Sequence, residues 1–132
     1  MADTLKQRPQ FRNIHVSQIV AYRLPPAGIV SILHRVSGVL LFLALPLLLL
    51  ALQYSLRSIE TYTQLMDVLQ HPLSKLVSLG LLWAFLHHFC AGIRYLAIDL
   101  HLASSLAKAR ASSRWVLGVS LVLTVLIGVK LC

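Results

Sequence analysis

Three apolar runs, each near the length that crosses a lipid bilayer, constrain this chain more than any other feature. Val36 to Leu56 holds 21 residues without a charge or a histidine. Leu76 to Ile93 holds 18 residues without a formal charge, is entered through Pro72, and is interrupted only by His87 and His88. Trp115 to Val129 adds 15 residues and extends past Lys130 to Cys132. A spanning helix needs about 20 apolar residues, with a range of roughly 17 to 25. The third run is short: at ~1.5 Å per residue it reaches about 25 Å, which suits a thin or locally pinched bilayer. The runs predict helices over about 29–56, 72–100 and 114–131, the first starting after the Pro25-Pro26 break.

Composition agrees. Of 132 residues 58% are hydrophobic and 12% charged, about half the charge of an ordinary soluble domain. A water-soluble protein this small has too little interior to hide that apolar surface. The expected class is an all-α membrane protein, with three transmembrane helices running up-down-up. Residues 1–28 form an N-terminal arm, and residues 29–132 form the membrane domain. The first apolar run is too long for a signal-peptide core and lacks a small-residue cleavage site, so it is expected to stay in the mature protein.

The net charge of +8 does not point to nucleic acid, because the basic residues flank apolar runs and form no continuous stripe. They read as topology signals. Lys6, Arg8, Arg12 and Arg23 lie before the first run, and Lys108, Arg110 and Arg114 lie between the second and third. The first connection offers only Arg57 and Lys75, and the C-terminus only Lys130. Positive-inside logic puts the N-terminus and second connection in the cytoplasm and the C-terminus outside. Cys90 and Cys132 form neither a disulfide framework nor a metal pair.

Smaller features fit the same picture. Pro46 predicts a kink within the first helix, because packed membrane helices tolerate proline. Tyr22, Tyr54, Tyr95 and Trp115 fall near segment ends, as interfacial aromatics do. The connection from Arg57 to His71 carries Ile59, Tyr62, Met66 and Leu69 at helical spacing, predicting a short amphipathic helix on the outer surface. Ser120, Thr124 and Gly128 make a small-residue stripe that lets another helix approach, unless the spacing is chance.

The polar residues inside the spans are not scattered. Helix one carries Ser31, His34 and Arg35 near its cytoplasmic end. Helix two, running the other way, carries His88, Arg94 and Asp99 in its cytoplasmic half. Antiparallel packing would bring both sets into one leaflet, and ionisable groups at membrane depth usually mark a site or face a protein interior. Gly38 follows His34 by four residues and Gly92 follows His88 by four, so each imidazole sits beside a notch on its own helix. Such a clearance would admit a flat porphyrin, and histidine is an axial ligand of haem iron. His87 and His88 point about 100° apart, so one helix cannot present both to one iron. The plainer alternative also stands: histidines that only hydrogen-bond between helices, and Arg35 and Arg94 reaching to water. Asp99 pairs with Arg94, carries protons inward, or is a helix-end carboxylate facing water or a partner.

The string Ser31-Ile-Leu-His-Arg-Val-Ser-Gly38 resembles the S-x-x-H-R-x-[ST]-G signature of the succinate dehydrogenase cytochrome b family. His88-Phe-Cys-Ala-Gly-Ile-Arg-Tyr-Leu-Ala-Ile-Asp99 resembles that family's H-x-x-x-G-[IL]-R-H-L-x-x-D signature. Arg8-Pro9 and Tyr22-Arg23-Leu24-Pro25 fit its N-terminal arm, and the likeness covers nearly the whole chain. One departure is Tyr95, where the family often has histidine.

The resemblance implies that His88 is one axial ligand of a haem b, with the other supplied by a second membrane anchor subunit. It implies that His34 and Arg35, with Arg94 assisting, meet the haem propionates. It further implies that Ser31 and Arg35 are this subunit's share of a quinone site. Under it His87 has no ligand role and is a packing or interfacial residue. The implied function is membrane anchorage in succinate:quinone oxidoreductase, with electrons passing from a flavoprotein through an iron–sulfur subunit to quinone, in a bacterial inner membrane. The polypeptide has no nucleophile, flavin site or cluster cysteines, so it is non-catalytic alone and contributes to a multisubunit oxidoreductase. The alternatives are a fumarate reductase anchor, or a cofactor-free scaffold or transporter subunit.

Overall fold

The structure, a computed structural model, describes residues 15–102 and 105–131. The basic cluster Lys6, Arg8 and Arg12, the Arg8-Pro9 motif and Cys132 lie outside the described residues. The chain order is α1 (Val16–Ala21), α2 (Pro26–Ser55), α3 (Ile59–Gln70), α4 (Pro72–Asp99) and α5 (Leu106–Leu131). Of these, α2, α4 and α5 are long and apolar enough to cross a membrane, with mean hydropathy of 2.4, 1.7 and 1.7 over their best windows.

Local chemistry sets the boundaries. Pro25 is the N-cap of α2 and Pro26 its first residue, where a missing amide hydrogen costs nothing and the fixed φ suits a helix. The helix continues through Pro46 to Ser55. Serine 58 opens α3 with a capping box: its hydroxyl accepts from the Thr61 amide, and the Thr61 hydroxyl oxygen accepts from the Ser58 amide. Pro72 starts α4, whose N-cap His71 accepts from the Leu73 amide through Nδ1. At the other end His101 takes φ 62°, while Leu102 N donates to Ala97 O at 3.0 Å and His101 N to Ile98 O at 2.8 Å. That pair of bonds is a Schellman ending, here with histidine in the left-handed position usually held by glycine.

The third apolar run differs from expectation. Its helix begins at Leu106, not near residue 114, and has 26 residues. Lys108, Arg110 and Arg114 are helical, so charge does not end the element. At ~1.5 Å per residue α5 is about 39 Å long, although its uncharged stretch is still Trp115 to Val129.

The contacts show an up-down-up order. His34, early in α2, meets His88, late in α4. Arg94, late in α4, meets Ser112, early in α5, whereas Leu79, early in α4, lies against Gly128, late in α5. The expected amphipathic helix exists as α3, tied to the end of α2 by the Tyr54 hydroxyl donating to Gln64 Oε1 at 2.6 Å. Of its apolar stripe Met66 is half-buried, while Ile59, Tyr62 and Leu69 are exposed.

The interior is more polar than the exterior. Among the described residues the buried hydrophobics are Val30, Ala84, Ala91 and Val116, whereas Ser37, His87, Arg94, Ser113, Ser120 and Thr124 are all buried. Leucines and phenylalanines cover the outside. In lipid there is no hydrophobic force to bring helices together, so small residues and hydrogen bonds form the contacts. The stripe Ser120, Thr124, Gly128 is indeed buried and, with Ser113 and Val116, continues along α5. Its hydroxyls are satisfied within α5: Thr124 donates to Ser120 O at 2.7 Å and Ser120 to Leu117 O at 3.2 Å.

Replacing Ser58 with alanine removes one half of the capping box. The expected result is loss of about 0.5–2 kcal/mol from α3, read as faster amide hydrogen exchange in α3 with α2, α4 and α5 unchanged.

Candidate functional site

The polar residues of α2 and α4 meet at one depth. The rings of His34 and His88 stack with centroids 4.1 Å apart and planes 10° apart. Each helix contributes one imidazole and one glycine, and the fit is crossed. A methyl on Gly38 would lie 2.9 Å from His88 Cε1, and one on Gly92 would lie 3.9 Å from His34 Nε2. The glycine notches therefore receive the imidazole of the facing helix. Sequence spacing suggested clearance beside each helix's own histidine; tertiary packing uses the same gaps for helix contact.

Hydrogen bonding fixes the His88 ring. Its Nδ1 lies 3.0 Å from the His34 carbonyl oxygen and 3.3 Å from Ser37 Oγ. The Ser37 hydroxyl itself donates to that carbonyl at 2.9 Å. A carbonyl oxygen only accepts, so the proton belongs on His88 Nδ1. Nε2 then carries the lone pair, and it makes no hydrogen bond among the described residues. A donor bond from the far nitrogen to a backbone carbonyl is the arrangement that orients metal-ligating histidines. Ser37 was missed as a site residue from sequence, although it lies one turn after His34 and occupies the [ST] position of the signature.

No group of three or more histidine, cysteine, aspartate or glutamate side chains converges among the described residues. An iron already held by a porphyrin asks a chain for only an axial donor, which the oriented Nε2 of His88 fits. Two stacked, nearly parallel rings cannot occupy opposite faces of one iron, so His34 is not the complementary ligand of His88.

Ser31 is half-buried and Arg35 exposed, one turn apart on α2. Their side chains make no hydrogen bond among the described residues, which leaves a hydroxyl and a guanidinium open next to the histidine pair. Arg94 is placed differently. It is 7% exposed, its Nε donates to Ser112 Oγ at 3.0 Å and its Nη2 to Ala109 O at 3.3 Å. It also lies 5.3 Å from the Tyr95 ring centroid, within cation–π range. Two nitrogens of Arg94 are thus committed to α5, leaving Nη1 for any other partner. Of the three readings of Asp99, pairing with Arg94 does not occur among the described residues: Asp99 is exposed at the helix end, while Arg94 turns inward.

Tyr95 is not the interfacial aromatic that its position suggested. Its ring is 5.2 Å from that of His34, it packs on the Val30–Ala91–Val116 cluster, and its hydroxyl is buried without a partner. His87 is fully buried and stacks on Trp83 at 5.3 Å, and neither ring nitrogen has a hydrogen-bond partner. The ~100° step between His87 and His88 sends the second to α2 and the first into the three-helix interior. It is a packing residue rather than an interfacial one.

Residues 4–127 match the family model described as succinate dehydrogenase/fumarate reductase transmembrane subunit. The chain is 39% identical over 112 residues to the succinate dehydrogenase cytochrome b556 subunit of Coxiella burnetii (strain RSA 493 / Nine Mile phase I), covering 84% of this chain and 90% of that protein. It is 31% identical over 105 residues to the subunit of the same name from Paracoccus denitrificans, covering 80% and 81%.

The crossed fit makes an asymmetric prediction. Gly38→Ala is expected to destabilise by about 1–3 kcal/mol, the cost of overpacking against a ring that cannot swing aside. Gly92→Ala, with 3.9 Å of room, should be near neutral. Thermal unfolding of the two variants in the same detergent measures the difference.

Proposed function

We propose, for a chain that belongs to the succinate dehydrogenase/fumarate reductase transmembrane subunit family, that it anchors a succinate dehydrogenase, supplies one axial ligand to a haem b, and forms part of the quinone-reduction site. The observation that carries this reading is the imidazole of His88, oriented through Nδ1 and open at Nε2. Two relatives bearing a succinate dehydrogenase name favour succinate oxidation over the reverse reaction.

In this reading His88 Nε2 would hold the iron, and the bond from Nδ1 to the His34 carbonyl would raise the basicity of the ligand. When bound, the haem supplies a one-electron store. The other ligand would come from a second anchor subunit, as the family resemblance implies; among the described residues His34, stacked on His88, does not supply it. His34 and Arg35 would offset propionate charge that is costly to bury, and Arg94 would assist only through Nη1, its other donors being held by α5. Ser31 and Arg35, spaced four residues apart, share a helical face. The Ser31 hydroxyl donates to a quinone carbonyl. The Arg35 guanidinium stabilises negative charge developing on the quinone oxygen as electrons arrive from the iron–sulfur subunit.

The partners are a flavoprotein subunit, an iron–sulfur subunit and the second anchor. The setting is a bacterial cytoplasmic membrane, with the N-terminus inside and the C-terminus in the periplasm, as the lysine and arginine bias favours.

His88→Ala is expected to abolish the reduced-minus-oxidised b-type absorption band of the purified complex; full retention of six-coordinate haem would reject the ligand assignment. Ser31→Ala and Arg35→Ala should each lower quinone reduction by roughly tenfold or more, as loss of a charge-stabilising group does. Succinate oxidation by an artificial acceptor should be unchanged. Equal loss of both activities would remove these residues from the quinone site.

A further inference from the structure

The half of the bundle opposite the histidine pair contains a second feature, built from residues that the proposed redox role does not use. Two cavities of about 540 and 680 Å³ adjoin along the α4/α5 seam, and Leu79 and Gly128 line both. They differ in polarity. The one farther from α3 is walled by apolar atoms, with Gly80 and Trp83 of α4 and Leu121 and Val125 of α5 lining it. The outer one opens beneath α3 and is lined by Gln70, Lys75 and Ser78.

Lys75 is the only lysine or arginine between Arg57 and Arg94. It is half-buried and forms no ion pair among the described residues. The side chains of Gln70, Lys75 and Ser78 make no hydrogen bond among the described residues either. No acidic residue lines either cavity, and Asp67 and Glu60 of α3 are exposed. Three donors, one of them cationic, thus border one recess that continues into an apolar groove. From Lys75 to Trp83 the seam descends about 12 Å at ~1.5 Å per residue.

We infer that this seam binds one anionic phospholipid, its phosphate at Lys75, Gln70 and Ser78 and an acyl chain in the groove between α4 and α5. The charge selects an anion, and the apolar continuation selects one that carries a hydrocarbon tail. Both volumes lie in the range of about 300–1,000 Å³ that accommodates small ligands. Gly80 leaves the groove open: a Cβ there would meet nothing within 4 Å.

Native mass spectrometry of the delipidated protein in detergent tests the inference, with phosphatidylglycerol and phosphatidylcholine of identical chains as probes. One phosphatidylglycerol should bind about five- to tenfold more tightly than phosphatidylcholine, the worth of one lysine at an anionic headgroup. Lys75→Gln should erase that preference, and Gly80→Leu should weaken both lipids by filling the groove. Circular dichroism should show both variants as helical as the unaltered protein. Inorganic phosphate should not compete, which separates a lipid from a free anion. Equal binding of the two lipids would overturn the proposal, as would phosphatidylglycerol held unchanged by both variants or its displacement by a quinone. Cross-linking of a Gly80→Cys variant to another polypeptide would assign the groove to a partner subunit and overturn it equally.

Discussion

The crossed seating of two imidazoles in two glycine notches is the contact on which the arrangement of α2 and α4 rests. In lipid, leucine gains nothing by leaving hydrocarbon tails for a neighbouring helix, so association must come from close packing and hydrogen bonds. Gly38 supplies the closest approach, since a methyl there would lie 2.9 Å from His88, and the rings of His34 and His88 stack in the space between the helices. The bond from His88 Nδ1 to the His34 carbonyl adds direction. One contact therefore sets the depth of the polar cluster, the register of two helices and the tautomer of the candidate ligand.

The third helix is attached by related chemistry. A row of small and hydroxylated residues on α5 lies against the other helices, and each hydroxyl that a bilayer would leave unsatisfied returns to a carbonyl of its own helix. Arg94 adds a cationic clamp across the α4/α5 seam. A guanidinium is costly at membrane depth, and here two of its nitrogens find oxygen while its charge lies near an aromatic ring. Each long helix so acquires at least one directional bond to a neighbour in addition to packing.

The residues divide by accessibility. His87 and the Tyr95 hydroxyl are covered by this chain alone, so nothing outside can reach them without a rearrangement. Ser31 and Arg35 are open and carry no internal obligations among the described residues. A site completed by other subunits needs this division, because a donor already satisfied within the chain has little left for a substrate. The buried histidine braces the bundle, and the half-buried one beside it keeps Nε2 without a hydrogen bond among the described residues.

Much of this was legible in the sequence. Length and hydropathy located three helices, because a bilayer fixes how many apolar residues a span requires. The pattern 59, 62, 66, 69 located α3, and two antiparallel spans with polar groups at matching ends put both polar sets in one leaflet. What the sequence could not decide was where each side chain spends its hydrogen bonds. Gly38 and Gly92 looked like clearance beside their own histidines, Arg94 like a side chain reaching to water or to Asp99, and Tyr95 like an interfacial anchor. All three depend on the rotation of one helix against another. That rotation is set by the summed fit of small residues over the whole seam, which no local spacing encodes. The start of α5 eluded the hydropathy pattern for a similar reason: backbone helicity continues through Lys108, Arg110 and Arg114, since charge limits membrane depth but not helix length.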